Sequence, residues 1–109
     1  MSDNEIKYKI IVDPAANDRI YDHFEFLAQV SETAAEKLLD ELVKDIKSLD
    51  FMPYRNPVYD RPYLQRGKYR YMISCGRYRI VYQIQETTVY VDDIQDCRQS
   101  DASGLLFEE

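Results

Sequence analysis

Hydrophobic and polar positions alternate along residues 6–12, and most of the apolar members are β-branched or aromatic. This pattern predicts a β-strand. The strand is expected to end at Asp13-Pro14, because aspartate can cap the free amides of a helix and proline tolerates its first position. Apolar residues then recur three or four positions apart, which predicts a first helix over about residues 14–30.

A second helix is indicated by a long apolar stripe that continues to about Asp50. Thr33 and Glu36 have the spacing of a capping box, in which each side chain satisfies a free backbone amide near the helix start. The opposite face is charged and includes Asp40 and Lys44, four residues apart, and we interpret it as a solvated surface. Because the break between the two helices is short, they are expected to form an antiparallel hairpin.

The pattern changes after this hairpin, since residues 51–63 contain three prolines and cannot remain regular for long. We expect a loop whose aromatic side chains, Tyr54, Tyr59 and Tyr63, pack over the rim of the core. Stacking of these rings on nucleic-acid bases is the alternative.

The rest of the chain is predicted to form three strands, near residues 69–74, 78–85 and 88–94. Short turns separate them, so they are expected to pair as an antiparallel meander. Asp92-Asp93 interrupts the alternation of the last strand, which suggests a β-bulge. The order β-α-α-β-β-β predicts an α+β fold in which a small, mainly antiparallel sheet carries a helical hairpin on one face.

Composition limits the class of protein. A hydrophobic content of 45% excludes a disordered chain, and no apolar run is long enough to cross a bilayer. We expect one domain, 1–109, with flexible termini at about 1–5 and 100–109. The first five residues lack the features of a signal peptide, so a cytoplasmic location without a membrane partner is expected. There, Cys75 and Cys97 are expected to be free thiols.

His23 is the only histidine of the chain. A typical zinc site would therefore lack ligands, and a catalytic pair would have only this one base available. We interpret His23 as structural or exposed and expect no metal and no cofactor. Any catalysis is expected to use other side chains.

The distribution of charge is uneven. The formal net charge of −6 argues against non-specific nucleic-acid binding by the whole chain. Residues 61–85 nevertheless contain six basic residues and no acidic one, whereas the rest of the chain holds eight basic and twenty acidic residues. This contrast indicates a local surface for an anionic partner.

Alternation predicts where the arginines of this segment point, because successive side chains of a strand lie on opposite faces. In the strand 78–85 the row that begins at Tyr78 is apolar and is expected to face the helices, which leaves Arg79 on the open face. Arg70 is expected beside it. The residues of the preceding strand expected to face the helices are Tyr69, Tyr71 and Ile73.

The absence of acids in the segment leaves these arginines without local ion-pair partners. They are either solubilising charges or a phosphate site, since a guanidinium group held by a rigid sheet suits phosphate recognition and can stabilise charge on a phosphoryl group.

Four parts of the chain occur in an order and spacing that together resemble one group of proteins, the RelE/ParE superfamily of toxins from bacterial type II toxin–antitoxin modules. The resemblance covers about residues 6–100. Besides the long helical hairpin, the parts are Tyr8-Lys9-Ile10-Ile11-Val12-Asp13-Pro14-Ala15-Ala16, Tyr78-Arg79-Ile80-Val81-Tyr82-Gln83-Ile84 and Asp96-Cys97-Arg98-Gln99.

The resemblance implies a small toxin that is inhibited by an antitoxin encoded beside it. RelE-like members cut mRNA in the ribosome with basic side chains and without a metal, whereas ParE-like members poison DNA gyrase. The first hypothesis is a ribosome-dependent mRNA endoribonuclease that inhibits translation. The alternatives are a gyrase inhibitor and a non-toxic homologue that only binds the antitoxin.

By position in the resemblance, three arginines carry catalysis. Arg79 and Arg98 would bind the scissile phosphate and stabilise a pentacoordinate transition state, and Arg70 would lie near the attacking 2′-hydroxyl. Further phosphate or RNA contacts are expected from Lys68, Arg77 and Arg66. An acidic segment of the antitoxin would complement this basic face.

Two departures favour the alternatives. Met72 stands where RelE-like enzymes have a second basic residue, and the tail Gly104-Leu105-Leu106-Phe107 offers no clear match to their C-terminal tyrosine. The long helical hairpin is closer to ParE-like members.

Overall fold

The computed structural model describes residues 6–97. The expected flexibility of the two termini, the position of Arg98 and the tail that lacks the tyrosine all lie outside the described residues. The elements, in chain order, are β1 Lys9–Val12, α1 Pro14–Ala28, α2 Glu32–Lys47, two short 3-10 turns at Ser48–Asp50 and Pro53–Arg55, β2 Tyr69–Ser74, β3 Tyr78–Gln85 and β4 Thr88–Asp96. The predicted α+β fold and its β-α-α-β-β-β order are confirmed.

The starts of the two helices are fixed by different caps. Asp13 accepts a hydrogen bond from Ala15 N at 2.8 Å, as predicted for the start of α1. At α2 the cap is Ser31, whose Oγ accepts from Ala34 N at 3.1 Å. The predicted cap at Thr33 is wrong, because the backbone is already helical there and Ser31 is the extended residue that precedes the helix.

The sheet is mixed, with the strand order β1-β4-β3-β2. β1 runs parallel to β4, and the other neighbours are antiparallel. A parallel neighbour requires a long crossover, and the chain between β1 and β4 contains both the helical hairpin and the strands β2 and β3. No helix among residues 6–97 combines the length and apolar character that a bilayer crossing needs.

The core lies between the helical hairpin and one face of the sheet, and α1 contributes Ala16 and Ile20 to it. On α2, the apolar side chains Leu38, Leu42 and Ile46 are buried and pack with the row of β3 that begins at Tyr78. β4 contributes Val91 and Ile94 to the same face. The register between β3 and β4 shifts at Val81/Tyr82, which confirms the predicted bulge at Asp92-Asp93. The extra residue keeps both Val91 and Ile94 on the core side.

The register of β2 reverses one expectation. Arg70 pairs with Tyr82 and Met72 pairs with Ile80, and directly paired residues of antiparallel strands share a face. Arg70 and Met72 therefore lie on the helix side, whereas Arg79, which pairs with Ile73, lies on the open face. The prediction that Arg70 and Arg79 share the open face is wrong.

The physical reason is that both rows of β2 contain apolar side chains, so alternation alone cannot orient the strand. Met72 packs against the core cluster. Tyr71, on the other row, finds its packing partner in Tyr59, whose ring centroid lies 5.7 Å away. Tyr59 comes from the loop that runs along the outer edge of β2, where Tyr59 N donates to Tyr69 O at 2.7 Å.

Candidate functional site

Arg70 fastens the proline-rich loop to the sheet. Its Nη1 donates to Tyr54 O at 3.2 Å and to Asn56 O at 2.6 Å. The guanidinium group also lies 5.0 Å from the centre of the Tyr54 ring. Two carbonyl oxygens and one aromatic ring of the loop thus contact this cation on the helix side of the sheet.

Arg79 is enclosed on the open face. Its Nη1 donates to Gln95 Oε1 at 2.9 Å, and the guanidinium group lies 5.0 Å and 5.6 Å from the ring centres of Tyr59 and Tyr71. Tyr59 is only 5% exposed, and its hydroxyl donates to the same oxygen of Gln95 at 3.1 Å. The Nε of Arg79 is buried and has no hydrogen-bond partner among residues 6–97. Packing therefore limits access to this guanidinium group.

The loop tyrosines differ in burial. The prediction that they pack over the core rim is confirmed for Tyr59 and wrong for Tyr54 and Tyr63, which are 55% and 76% exposed. Only Tyr59 has a cation and a second ring to pack against on the open face.

Arg77 has an ion-pair partner that the sequence reading missed. Its Nε donates to Asp96 Oδ1 at 3.1 Å and its Nη2 to Asp96 Oδ2 at 2.7 Å. Asp96 is 3% exposed. The hydrogen bond to this carboxylate raises the pKa of Arg77 above its ordinary value. The acid lies on β4, outside the acid-free segment, so only the pairing of β3 with β4 brings it to Arg77.

Arg66 and Lys68 are exposed and, with Arg70, line a cleft of about 340 Å³ at the start of β2. Tyr54 and Gly67 belong to the same lining. Of the predicted site residues, the structure thus brings these three cations together. It places Arg77 and Arg79 elsewhere, and Arg98 lies outside the described residues. The catalytic and phosphate-binding roles of the six residues stay predictions.

His23 has a structural role, as predicted. Its Nε2 lies 2.8 Å from Ile94 O and its ring centroid 5.0 Å from that of Tyr78. Because a carbonyl oxygen only accepts, Nε2 carries the hydrogen in this contact. The contact holds α1 against β4.

The two cysteines lie near the end of the β2–β3 hairpin. Cys75 is an exposed free thiol in the turn, and burial by its neighbours still raises its pKa. Cys97 is half-buried, and its N donates to Arg77 O at 2.8 Å. Among residues 6–97 no group of three or more histidine, cysteine or acidic side chains is arranged to hold a metal ion.

Comparison with known proteins adds a family and a fold. A family model described as "ParE toxin of type II toxin-antitoxin system, parDE" matches residues 10–100. A solved structure titled "Chromosomal ParDE TA system from P. aeruginosa" superposes with a TM-score of 0.66 at 12% identity, over 83% of this chain and 96% of that chain. At this identity the likeness concerns the fold. No curated protein matches the chain significantly.

Proposed function

Because this chain belongs to the ParE toxin family of type II toxin–antitoxin systems, we propose that it is a cytoplasmic toxin whose target is DNA gyrase rather than mRNA on the ribosome. Membership of the family implies a toxin paired with an antitoxin. The choice of target rests on the geometry of the arginines.

The observation that carries the proposal is the separation of Arg70 and Arg79. Cleavage of a phosphodiester needs its charged groups converged on one phosphate, held in place before the reaction. Here the two arginines lie on opposite faces of the sheet. Each is also engaged within the fold, Arg70 by two loop carbonyls and Arg79 by Gln95 and two tyrosine rings. This arrangement favours a toxin that binds a protein target.

The helical hairpin supplies a surface for such binding. Its exposed apolar side chains are Tyr21, Phe26, Val30 and Val43. Exposed apolar and aromatic side chains are enriched at protein–protein interfaces. Phe26 lies near the end of α1, close to the turn of the helical hairpin, and is 53% exposed. It is therefore the residue chosen for substitution.

The decisive variant pair is Arg79→Met and Phe26→Ala. If the toxin binds gyrase through the hairpin, Phe26→Ala reduces growth arrest after induction, while Arg79→Met retains it because methionine preserves much of the packing between the tyrosines. The matched control for Phe26→Ala is Tyr63→Ala, which removes an exposed ring from the loop. Circular dichroism verifies that each variant folds.

The readouts are the incorporation of labelled methionine and the appearance of broken chromosomal DNA during the first minutes after induction. We expect DNA damage to precede any fall in translation. Loss of toxicity in Arg79→Met, together with immediate translational arrest by the wild type, would instead establish the nuclease. Growth that is unaffected by induction would establish the non-toxic homologue.

The antitoxin partner is tested separately. Co-expression of the chain with the product of the neighbouring reading frame is expected to relieve growth arrest and to yield a complex that co-purifies. Absence of a complex would contradict the pairing that the family implies.

A further inference from the structure

We propose that the cleft at the start of β2 binds a phosphorylated nucleotide, either free or as one residue of a single strand. This site is distinct from the hairpin surface proposed to bind gyrase, and its test does not involve gyrase. It also differs from the predicted phosphate site on the open face, because Arg79 takes no part in it.

A tight turn over residues 65–68 lines one side of the cleft opening. Lys68 N donates to Gln65 O at 3.2 Å, which closes a four-residue turn with Arg66 and Gly67 at its centre. Gly67 has a φ of 77°, a conformation that favours glycine, and apart from Gly67 itself and its two chain neighbours no heavy atom of the described chain lies within 4 Å of where its Cβ would stand. The turn therefore leaves open space beside its backbone and carries Arg66 and Lys68 at the rim.

The positive charge of the cleft is only partly neutralised. None of its lining residues is acidic, and Arg66 forms no ion pair with any residue between 6 and 97. Arg70 uses Nη1 for the loop carbonyls, and its Nε and Nη2 have no acceptor within the described part of the chain. Lys68 Nζ lies 5.3 Å from the centre of the Tyr69 ring. Three cations around one opening suit a phosphate group.

Two carboxylates contact the walls from outside the cleft. Asp60 Oδ1 accepts from Gly67 N at 3.5 Å, and Asp92 Oδ2 accepts from Gln83 Nε2 at 2.7 Å. Asp92 also attracts Lys68, which lowers the pKa of this aspartate against the larger effect of burial. These two carboxylates accept hydrogen bonds from residues of the wall and reduce the positive potential near the cleft, but they do not line the opening.

The cleft also has a platform for a planar ring. Tyr54 is exposed, and Arg70 lies over its ring at 5.0 Å. An aromatic ring beside an arginine is a stacking partner for a nucleobase. The side-chain amides of Gln65 and Gln85 line the same space. Gln85 Nε2 donates to Gln83 Oε1 at 2.9 Å, which leaves its second hydrogen and its Oε1 to face the edge of a base. An acidic peptide would use the cations alone, so the ring and amides favour a nucleotide.

The size of the cleft fits a single nucleotide. A volume of about 340 Å³ lies at the lower end of the range for small-molecule sites, about 300–1,000 Å³. Because the whole protein is acidic, longer nucleic acid gains little from the surface beyond the cleft. Binding is therefore expected to be local and to weaken as salt rises.

The test titrates the full chain, at 50 mM and 200 mM salt, with AMP, adenosine, inorganic phosphate, an eight-nucleotide single-stranded DNA and a hepta-glutamate peptide. Calorimetry gives the affinities and amide NMR locates the site. We expect AMP to bind at least about tenfold more tightly than adenosine or phosphate, from the combined charge and stacking contributions. The amides of Gly67, Lys68 and Gln85 are expected to shift.

Variants assign the contributions. The double variant Arg66→Gln/Lys68→Gln is expected to weaken AMP about tenfold or more, whereas the charge-matched control Lys37→Gln/Lys44→Gln, on exposed positions of α2, leaves AMP binding unchanged. Tyr54→Ala is expected to weaken AMP about tenfold without changing the affinity for phosphate, and Tyr54→Phe retains binding.

The oligonucleotide distinguishes the two sources of the ligand. Tighter binding of the eight-nucleotide strand than of AMP, at the same amides, would identify a nucleotide within a strand, and equal or weaker binding would identify a free one. The proposal is overturned if phosphate binds as tightly as AMP, if the peptide binds in place of AMP, or if AMP does not bind at 50 mM salt.

Discussion

Arg77 and Asp96 close the end of the β2–β3 hairpin against β4 by a bidentate ion pair. Asp96 is nearly buried, so removal of its charge leaves a cation with a poorly matched acceptor. We expect Asp96→Asn to lower the free energy of unfolding by about 2 kcal/mol, less than for a fully buried pair because Arg77 retains access to water. Urea denaturation measures the difference.

The control is the exposed pair between Lys7 and Asp50, whose atoms lie 3.4 Å apart. Asp50→Asn makes the same chemical change and is expected to cost less than about 0.5 kcal/mol, since surface pairs contribute little. If the two variants lose equal stability, burial of Asp96 has no special importance.

Asp92 is a residue for which ionisation opposes folding. Burial raises its pKa above the ordinary value, against a smaller opposite effect of the hydrogen bond from Gln83. The folded state therefore binds the proton more tightly than the unfolded state. The stabilisation that results is present below the ordinary pKa of an aspartate, about 4, and is lost as pH rises through the raised value.

Asp92→Asn is expected to remove the loss of stability that accompanies ionisation of Asp92. Asparagine stays neutral at every pH, and its amide oxygen can still accept from Gln83. We expect the variant to be more stable than the wild type at pH 7 and similar to it at pH 3.5, with Asp40→Asn on the exposed face of α2 as the control. Urea midpoints measured across this range provide the test. A variant that is less stable at pH 7 would show that the carboxylate contributes favourably.

Among the elements, α2 shows what a sequence pattern specifies well. One orientation of the helix buries Leu38, Leu42 and Ile46 of its apolar stripe, and the helix packs in that orientation, as the pattern predicts. Its first residue was less well specified, because Ser31 and Thr33 both have hydroxyl groups that can cap a helix. The structure selects Ser31.

A pair of alanine variants tests this cap. Ser31→Ala is expected to lower the free energy of unfolding by about 1 kcal/mol, since it removes the acceptor of the Ala34 amide. Thr33→Ala, inside the first turn and exposed, is expected to change it by less than about 0.5 kcal/mol. Thermal unfolding of both variants gives the comparison. A larger loss of stability in Thr33→Ala than in Ser31→Ala would show that Thr33 is the cap.

The strands show where alternation is sufficient and where it is not. The row of β3 that contains Ile80 and Tyr82 is uniformly apolar, so the prediction that these side chains face the helices is correct. β2 has apolar side chains on both rows, so its own pattern does not show which row faces the helices. Tyr59, from a loop distant in sequence, packs against Tyr71 and accommodates that row on the open face. A local pattern contains no information about that loop, and Arg70 was consequently assigned to the wrong face.

In the whole molecule, the basic segment 61–85 does not form one surface. Its cations are divided between the cleft around Arg66 and Lys68, the ion pair of Arg77 and the enclosed position of Arg79. The excess of charge was visible in the sequence, but its division depends on strand register and on pairing with β4. The family could be recognised because the resemblance rests on the order and spacing of segments along the chain, which the sequence shows directly.

The division of these cations also bears on the target. A toxin that cleaved RNA with Arg70 and Arg79 would need both arginines on one face of the sheet, and the register of β2 and β3 places them on opposite faces. The proposed gyrase contact uses the helical hairpin, whereas the proposed nucleotide site is the cleft at the start of β2. Because the surfaces differ, a negative result for one proposal does not contradict the other.

The most direct measurement adds the purified wild-type chain to two reactions at equal concentration: supercoiling of relaxed plasmid by bacterial DNA gyrase, and translation of a reporter mRNA by purified ribosomes. Inhibition of supercoiling with accumulation of cleaved plasmid, while the reporter mRNA stays intact, is the result expected for a gyrase-directed toxin. Cleavage of the reporter mRNA in the ribosome, with supercoiling unaffected, would contradict it.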